Sequence, residues 1–180
     1  YAQYRVSSTY KKYSKVSNLQ RKTGADIASI LLRTNGISDV MVEETKGTLT
    51  DHYDPRKKTL RLSRDVYHAS SVSAMGIVAH EVGHALQDST SYVPLKVRGA
   101  LVPVANVGTW LGYICFVLGV VLAFTNLVWA GVILFSGAVL FALVTLPVEF
   151  NASMRARQML QTNGLVTTTE SEGVSAVLSA

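Results

Sequence analysis

The chain has 180 residues, a formal net charge of +5 and one cysteine, with 48% hydrophobic and 16% charged residues. A single cysteine excludes a disulfide-held fold, and Cys115 sits in an apolar stretch where it reads as a small packing residue. The basic excess comes without an aromatic-interleaved nucleic-acid motif, so it reads as attraction to an anionic lipid bilayer and no nucleic-acid partner is expected.

Residues 1–22 are polar, basic and Tyr-rich, as in a juxtamembrane segment or a surface helix. The chain opens without Met and closes in a periodic segment, so both ends read as cuts. A short helix is predicted from Thr23-Gly24-Ala25-Asp26, with Ile27, Ile30 and Leu31 as its apolar stripe and Asn35-Gly36 as its stop. Residues 40–44, 49–53 and 58–62 carry strand-favouring residues separated by Lys46-Gly47 and by Asp54-Pro55-Arg56-Lys57, which predicts a small antiparallel β-meander. Leu60 and Leu62 alternate with Thr59 and Arg61, so one face of the last strand is expected to pack and the other to stay wet. If that strand is an edge, an extended peptide could add to it.

A helix over residues 72–87, with Ser70, Ser71 and Ser73 as candidate N-caps, carries His80-Glu81-Val82-Gly83-His84. Positions four apart on a helix differ by only about 40° around the axis, so the imidazoles of His80 and His84 can share one metal ion. Glu81 cannot easily join that clamp, but it can take a proton from a water on the metal, as a zinc hydrolase requires. Gly76 and Gly83 weaken the helix, which is consistent with close approach of another element. Asp88, four residues after His84, is a candidate to orient its ring or, equally, to close the helix.

Residues 99–148 contain no Lys, Arg, Asp or Glu. About 20 apolar residues cross a bilayer core, so this run accommodates two spans, placed at residues 104–124 and 127–146 with a turn at Thr125-Asn126. The alternative is a helical hairpin buried in a soluble core. Fifteen of the 17 Lys and Arg precede the hairpin and Arg155 and Arg157 follow it, so the positive-inside tendency puts both flanks in the cytoplasm. Gly108 and Gly112 offer small-residue spacing for close contact between the spans. A further helix is predicted to start near Pro147 and stop at Asn163-Gly164, and another to open at Thr169 with Glu172.

Two imidazoles need a third protein ligand and an open position for water. Glu149, at the exit of the second span, returns to the membrane face that Arg98 left, close to the end of the metal helix. It is therefore the expected third ligand, with pairing to Arg98, Arg155 or a lipid-facing Lys as its alternative role. His52, His68, Tyr53, Tyr67 and Arg155 are candidates to stabilise an oxyanion.

His80-Glu81-Val82-Gly83-His84-Ala85-Leu86-Gln87-Asp88, Asp51-His52-Tyr53-Asp54-Pro55-Arg56 and Leu146-Pro147-Val148-Glu149-Phe150-Asn151-Ala152-Ser153 together resemble the YugP-like family of neutral zinc metallopeptidases of bacterial membranes. More distantly, the order of zinc helix, membrane hairpin and Glu-x-x-Ala is similar to the HtpX and CAAX prenyl protease group. The resemblance implies one Zn2+, a gluzincin site facing the cytoplasm, an anchor before Tyr1 and further span(s) after Ala180. The distant group carries an Asp four residues after its glutamate ligand, where this chain has Ser153, so either the Ser153 hydroxyl or another group orients the first His.

The expected architecture is α+β. A mainly helical zincin-like cytoplasmic domain would be interrupted by the two-span hairpin, with a juxtamembrane segment at 1–22, the zincin-like part at 23–100, the hairpin at 101–147 and helices carrying the third ligand at 148–180. The expected function is a membrane-anchored zinc endopeptidase with catalytic Glu81 and metal ligands His80, His84 and Glu149. It would act in the cell membrane on protein or peptide substrates, membrane proteins among them. A non-catalytic membrane scaffold with a structural zinc is the alternative. An intramembrane protease fits less well, because Arg64, Asp65 and Asp88 flank the metal helix, and a channel fits poorly, because the spans lack ionisable residues.

Overall fold

The computed structural model describes residues 2–180; Tyr1, in the basic segment expected over 1–22, lies outside them. The residues form two compact units, one made of the chain up to Thr90 together with Asn151–Ala180, the other of Ser91–Phe150.

In the first unit, helix α1 (Ala2–Tyr13) is followed by α2 (Gly24–Thr34). The start of α2 is fixed by a reciprocal cap: the Thr23 hydroxyl accepts from the Asp26 amide and the Asp26 carboxylate accepts from the Thr23 amide. Gly36, at φ +70°, supplies the left-handed residue that ends it. Strands β1 (Met41–Thr45), β2 (His52–Asp54) and β3 (Thr59–Ser63) follow, then the single turn α3 (Arg64–Tyr67).

The sheet is not a meander. Its order is β1-β3-β2, with β1 parallel to β3 and β2 antiparallel to it. The reason is burial: Leu60 and Leu62 are covered on one face, and Thr59 and Ser63 are covered on the other, so β3 takes the centre with a partner on each side. The wet face expected for Thr59 does not exist, and β3 is closed to an added peptide. Asp54 makes the β2–β3 turn by accepting from the amides of Arg56 and Lys57, while Asp51 accepts from both the amide and the hydroxyl of Ser63. Burial pushes the Asp51 carboxyl above its ordinary range despite those two donors.

Helix α4 (Val72–Ser89) crosses this unit, with Ser71 as N-cap, its hydroxyl accepting from the Ala74 amide. Its Val78 and Val82 meet Ile27 and Leu31 of α2, Leu60 and Leu62 of β3, Leu160 and Val174 in one core. Each such side chain contributes roughly 1.5–3 kcal/mol by leaving water.

Helix α6 (Thr125–Thr162) returns the chain to this unit. No separate helix opens at Pro147. That residue lies inside α6, where it removes one backbone donor while the flanking turns continue. The last helix, α7 (Thr168–Leu178), opens two residues earlier than Thr169 and Glu172 predict: Thr167 caps it and Glu170 bonds back to the Thr167 amide. Two overlapping Thr-x-x-Glu patterns compete here, and a tertiary bond decides between them, because Glu170 also accepts from the distant Leu19 amide. Burial works against that charge, yet the donors outweigh it and hold the Glu170 carboxyl below its ordinary range.

The second unit is the pair α5 (Val93–Val121) and the first part of α6. The reversal is residues 122–124, with Ala123 at φ +51°, and Thr125 and Asn126 already belong to the first turn of α6. Both helices are long and apolar enough to cross a membrane, and only 11% and 6% of their most apolar windows are buried, so neither is a core helix of the described residues. Their contact is close at Gly112, where a Cβ would come within 2.9 Å of the Phe135 amide nitrogen and 3.0 Å of the Gly131 carbonyl oxygen.

Candidate metal centre

Helix α4 delivers His80 and Glu81 on one turn and His84 on the next. The two rings stand edge to face with centroids 4.8 Å apart, as expected when imidazoles four apart turn toward a common point. One ligating atom from each of His80, His84 and Glu149 lies within 4.8 Å of the others. His84 is buried, and His80 and Glu149 are half-buried. Arg98 Nη2 lies 3.5 Å from Glu149 Oε1. Thus the alternative pairing is also present, and a carboxylate has two oxygens with which to serve both. With both side chains about a third exposed, such a pair contributes only about 0–1 kcal/mol.

The donor set suits zinc: two imidazoles and a carboxylate, with each ring held through its other nitrogen. His80 Nδ1 lies 3.1 Å from Ser153 Oγ, which in turn donates to the Leu178 carbonyl at 3.4 Å. The Ser153 hydroxyl thus contacts the His80 ring at the position where the distant group carries an Asp. His84 Nδ1 lies 3.0 Å from Gln87 Oε1. Asp88 does not orient this ring. It accepts from the Tyr53 hydroxyl at 2.8 Å and from Lys58 Nζ at 2.7 Å, tying the end of α4 to β2 and to the start of β3. Burial and the Asp88 carboxylate raise the Tyr53 phenol further above neutrality, so it remains a donor.

Glu81 is positioned from the sheet. Its Oε2 accepts from the Tyr53 amide at 3.0 Å, so β2 lies beside the carboxylate. The other residues considered for an oxyanion make the following contacts. His52 Nδ1 donates to the Thr50 carbonyl, so neutral His52 presents an acceptor at Nε2; His68 pairs with Glu44, and Tyr67 packs edge-on against His68. Arg155 donates to Asn151, to the Leu86 carbonyl and to Thr90.

Gly83 brings α6 against this helix. A Cβ there would come within 2.7 Å of the Ala152 carbonyl oxygen and 3.2 Å of the Ala152 Cα, and both are backbone atoms that cannot swing aside. Gly83→Ala is therefore expected to lower stability by about 1–3 kcal/mol, despite the better helix propensity of Ala, and to weaken zinc binding by displacing Ser153. Thermal unfolding and a zinc titration of the variant check both parts.

Three contributions escaped the reading of the sequence: the Tyr53 amide, Gln87 and Asn151. Gln87 had a usable signal, since it lies three residues after His84 on the same helical face.

Two helical histidines four apart, with one carboxylate next to the first and a second within reach of both, form a group that could hold a metal ion. The chain belongs to the family described as "Putative neutral zinc metallopeptidase", which matches residues 1–180. It is 48% identical over 180 residues, all of this chain and 80% of the relative, to the Bacillus subtilis (strain 168) protein named "Putative membrane protease YugP". No solved structure matches the chain.

Proposed function

We propose that this protein is a membrane-anchored zinc endopeptidase of the gluzincin type, with a zincin-like arrangement of β2, β3 and α4 and its site near the cytoplasmic face of the cell membrane. The observation that carries this reading is the convergence of His80, His84 and Glu149 within 4.8 Å, beside a glutamate held by a strand amide. A zinc ion held there would supply a Lewis acid for the scissile carbonyl and make water a stronger acid. Glu81 accepts the proton of the attacking water and passes it to the leaving amine. The Tyr53 amide holds one oxygen of that carboxylate in place, so the general base does not have to be ordered during the reaction. Helices α5 and α6 cross the bilayer as a hairpin, with the Lys- and Arg-bearing flanks in the cytoplasm. Substrates are then proteins or peptides at that surface, membrane proteins among them.

The test is peptide release by purified protein in lipid nanodiscs. Activity is expected to vanish with a strong chelator and to return with added zinc. Protein with stoichiometric zinc that cleaves none of a panel of membrane-protein and peptide substrates would count against an enzyme and for a scaffold with a structural ion.

A further inference from the structure

The His84 ring is approached by a chain of polar groups whose direction is set at its far end. Arg155 Nε lies 2.9 Å from Asn151 Oδ1, and a guanidinium can only donate, so this Asn151 atom is the carbonyl oxygen. Gln87 Nε2 lies 3.0 Å from the same oxygen and must be the amide donor. The other end of the Gln87 amide is then its oxygen, and this is the atom 3.0 Å from His84 Nδ1. Gln87 is fully buried, so its amide has no water with which to exchange these roles. Arg155 is itself fixed on the end of α4 by the Leu86 carbonyl and the Thr90 hydroxyl, each at 3.3 Å.

We infer that Arg155, Asn151 and Gln87 form a directional relay that holds His84 as the Nδ1-protonated tautomer, so that its Nε2 lone pair is presented to a metal before any metal arrives. The three are positioning residues. Each hydrogen bond leaves the next group a single choice of donor or acceptor, and the sequence ends with the proton on the nitrogen turned away from the cluster. A neutral imidazole with the other tautomer would have to move that proton before it could bind. The link also joins the two ligand-bearing helices, since Gln87 belongs to α4 and Asn151 and Arg155 follow Glu149 on α6. The consequence for zinc rests on the site proposed above, but the tautomer itself does not.

The experiment therefore has two readouts. Nitrogen-15 spectra of histidine-labelled, metal-free protein, above the pH at which its imidazoles are protonated, report the tautomer, with the His84 signal assigned by its loss in His84→Ala. Wild type is expected to show Nδ1 protonated and Nε2 bare, and Gln87→Met to show a mixture. Competitive titration against a chromogenic chelator then gives zinc affinity: Gln87→Met is expected to weaken it about 10- to 100-fold. Gln87→Glu, whose carboxylate still accepts from His84 although it no longer donates to Asn151, should recover only part of that loss. An Nε2-protonated His84 in wild type, or a Gln87→Met protein with the wild-type tautomer and zinc affinity, would overturn the relay. Wild type with the expected tautomer but no zinc affinity would leave the relay standing and remove the metal centre instead.

Discussion

Glu81→Gln is expected to retain zinc and to lose peptide hydrolysis by about 100- to 10,000-fold, the range that a positioned general base contributes. The substitution keeps the size of the side chain and an oxygen that can accept from the Tyr53 amide, so β2 and α4 should stay in register. What disappears is the basic oxygen that takes the proton from water. Metal analysis and peptide release on the same preparation separate the two effects. Equal turnover by wild type and variant would remove Glu81 from the chemistry and, with it, the case for a protease.

Glu149→Ala is expected to weaken zinc binding by more than the about 10- to 100-fold that loss of an outer partner costs, because it removes a ligating atom itself. The zinc-dependent rise in unfolding temperature should shrink accordingly, since a ligand at 100 times its Kd stabilises a fold by about 2.7 kcal/mol. Arg98→Met is the control, as it deletes the ion pair and leaves the carboxylate. A partly exposed pair at 3.5 Å has little stability to lose, so zinc affinity in this variant should change far less than in Glu149→Ala. Full zinc occupancy in Glu149→Ala would reassign the third ligand and return Glu149 to the role of a partner for Arg98.

The two experiments test features of different legibility. The spacing of His80, Glu81 and His84 is a local property, because four residues on a helix always bring side chains to one face. The Thr23 cap, the Ser71 cap and the long uncharged stretch are local in the same sense: α2 and α4 begin where the caps put them, and two apolar helices occupy the stretch, although both run beyond it. The sheet was misread for a related reason. Periodicity shows that residues 59–63 favour a strand, but it says nothing about which strand lies in the middle, and only the covering of Thr59 and Ser63 as well as Leu60 and Leu62 makes β3 central. The orienting partner of His84 is not legible in the sequence, because Asp88 suits the ring and the helix end equally. In the folded chain Tyr53 and Lys58 hold Asp88, and neutral Gln87 is left to face the ring.

The sequence by itself determined what short-range geometry can encode: a pair of imidazoles with an intervening carboxylate, two apolar helices of membrane-crossing length, and the capped ends of α2 and α4. The tertiary structure alone decided the order of the strands and the choice of Thr167 over Thr169 as a cap. It also decided the hydrogen bond from Tyr53 that holds Glu81 and the one from Gln87 to Asn151 behind His84. These depend on groups far apart in the chain, Tyr53 with Glu81, Glu170 with Leu19 and Asn151 with Gln87, whose meeting is set by packing of the core and carries no periodic signal.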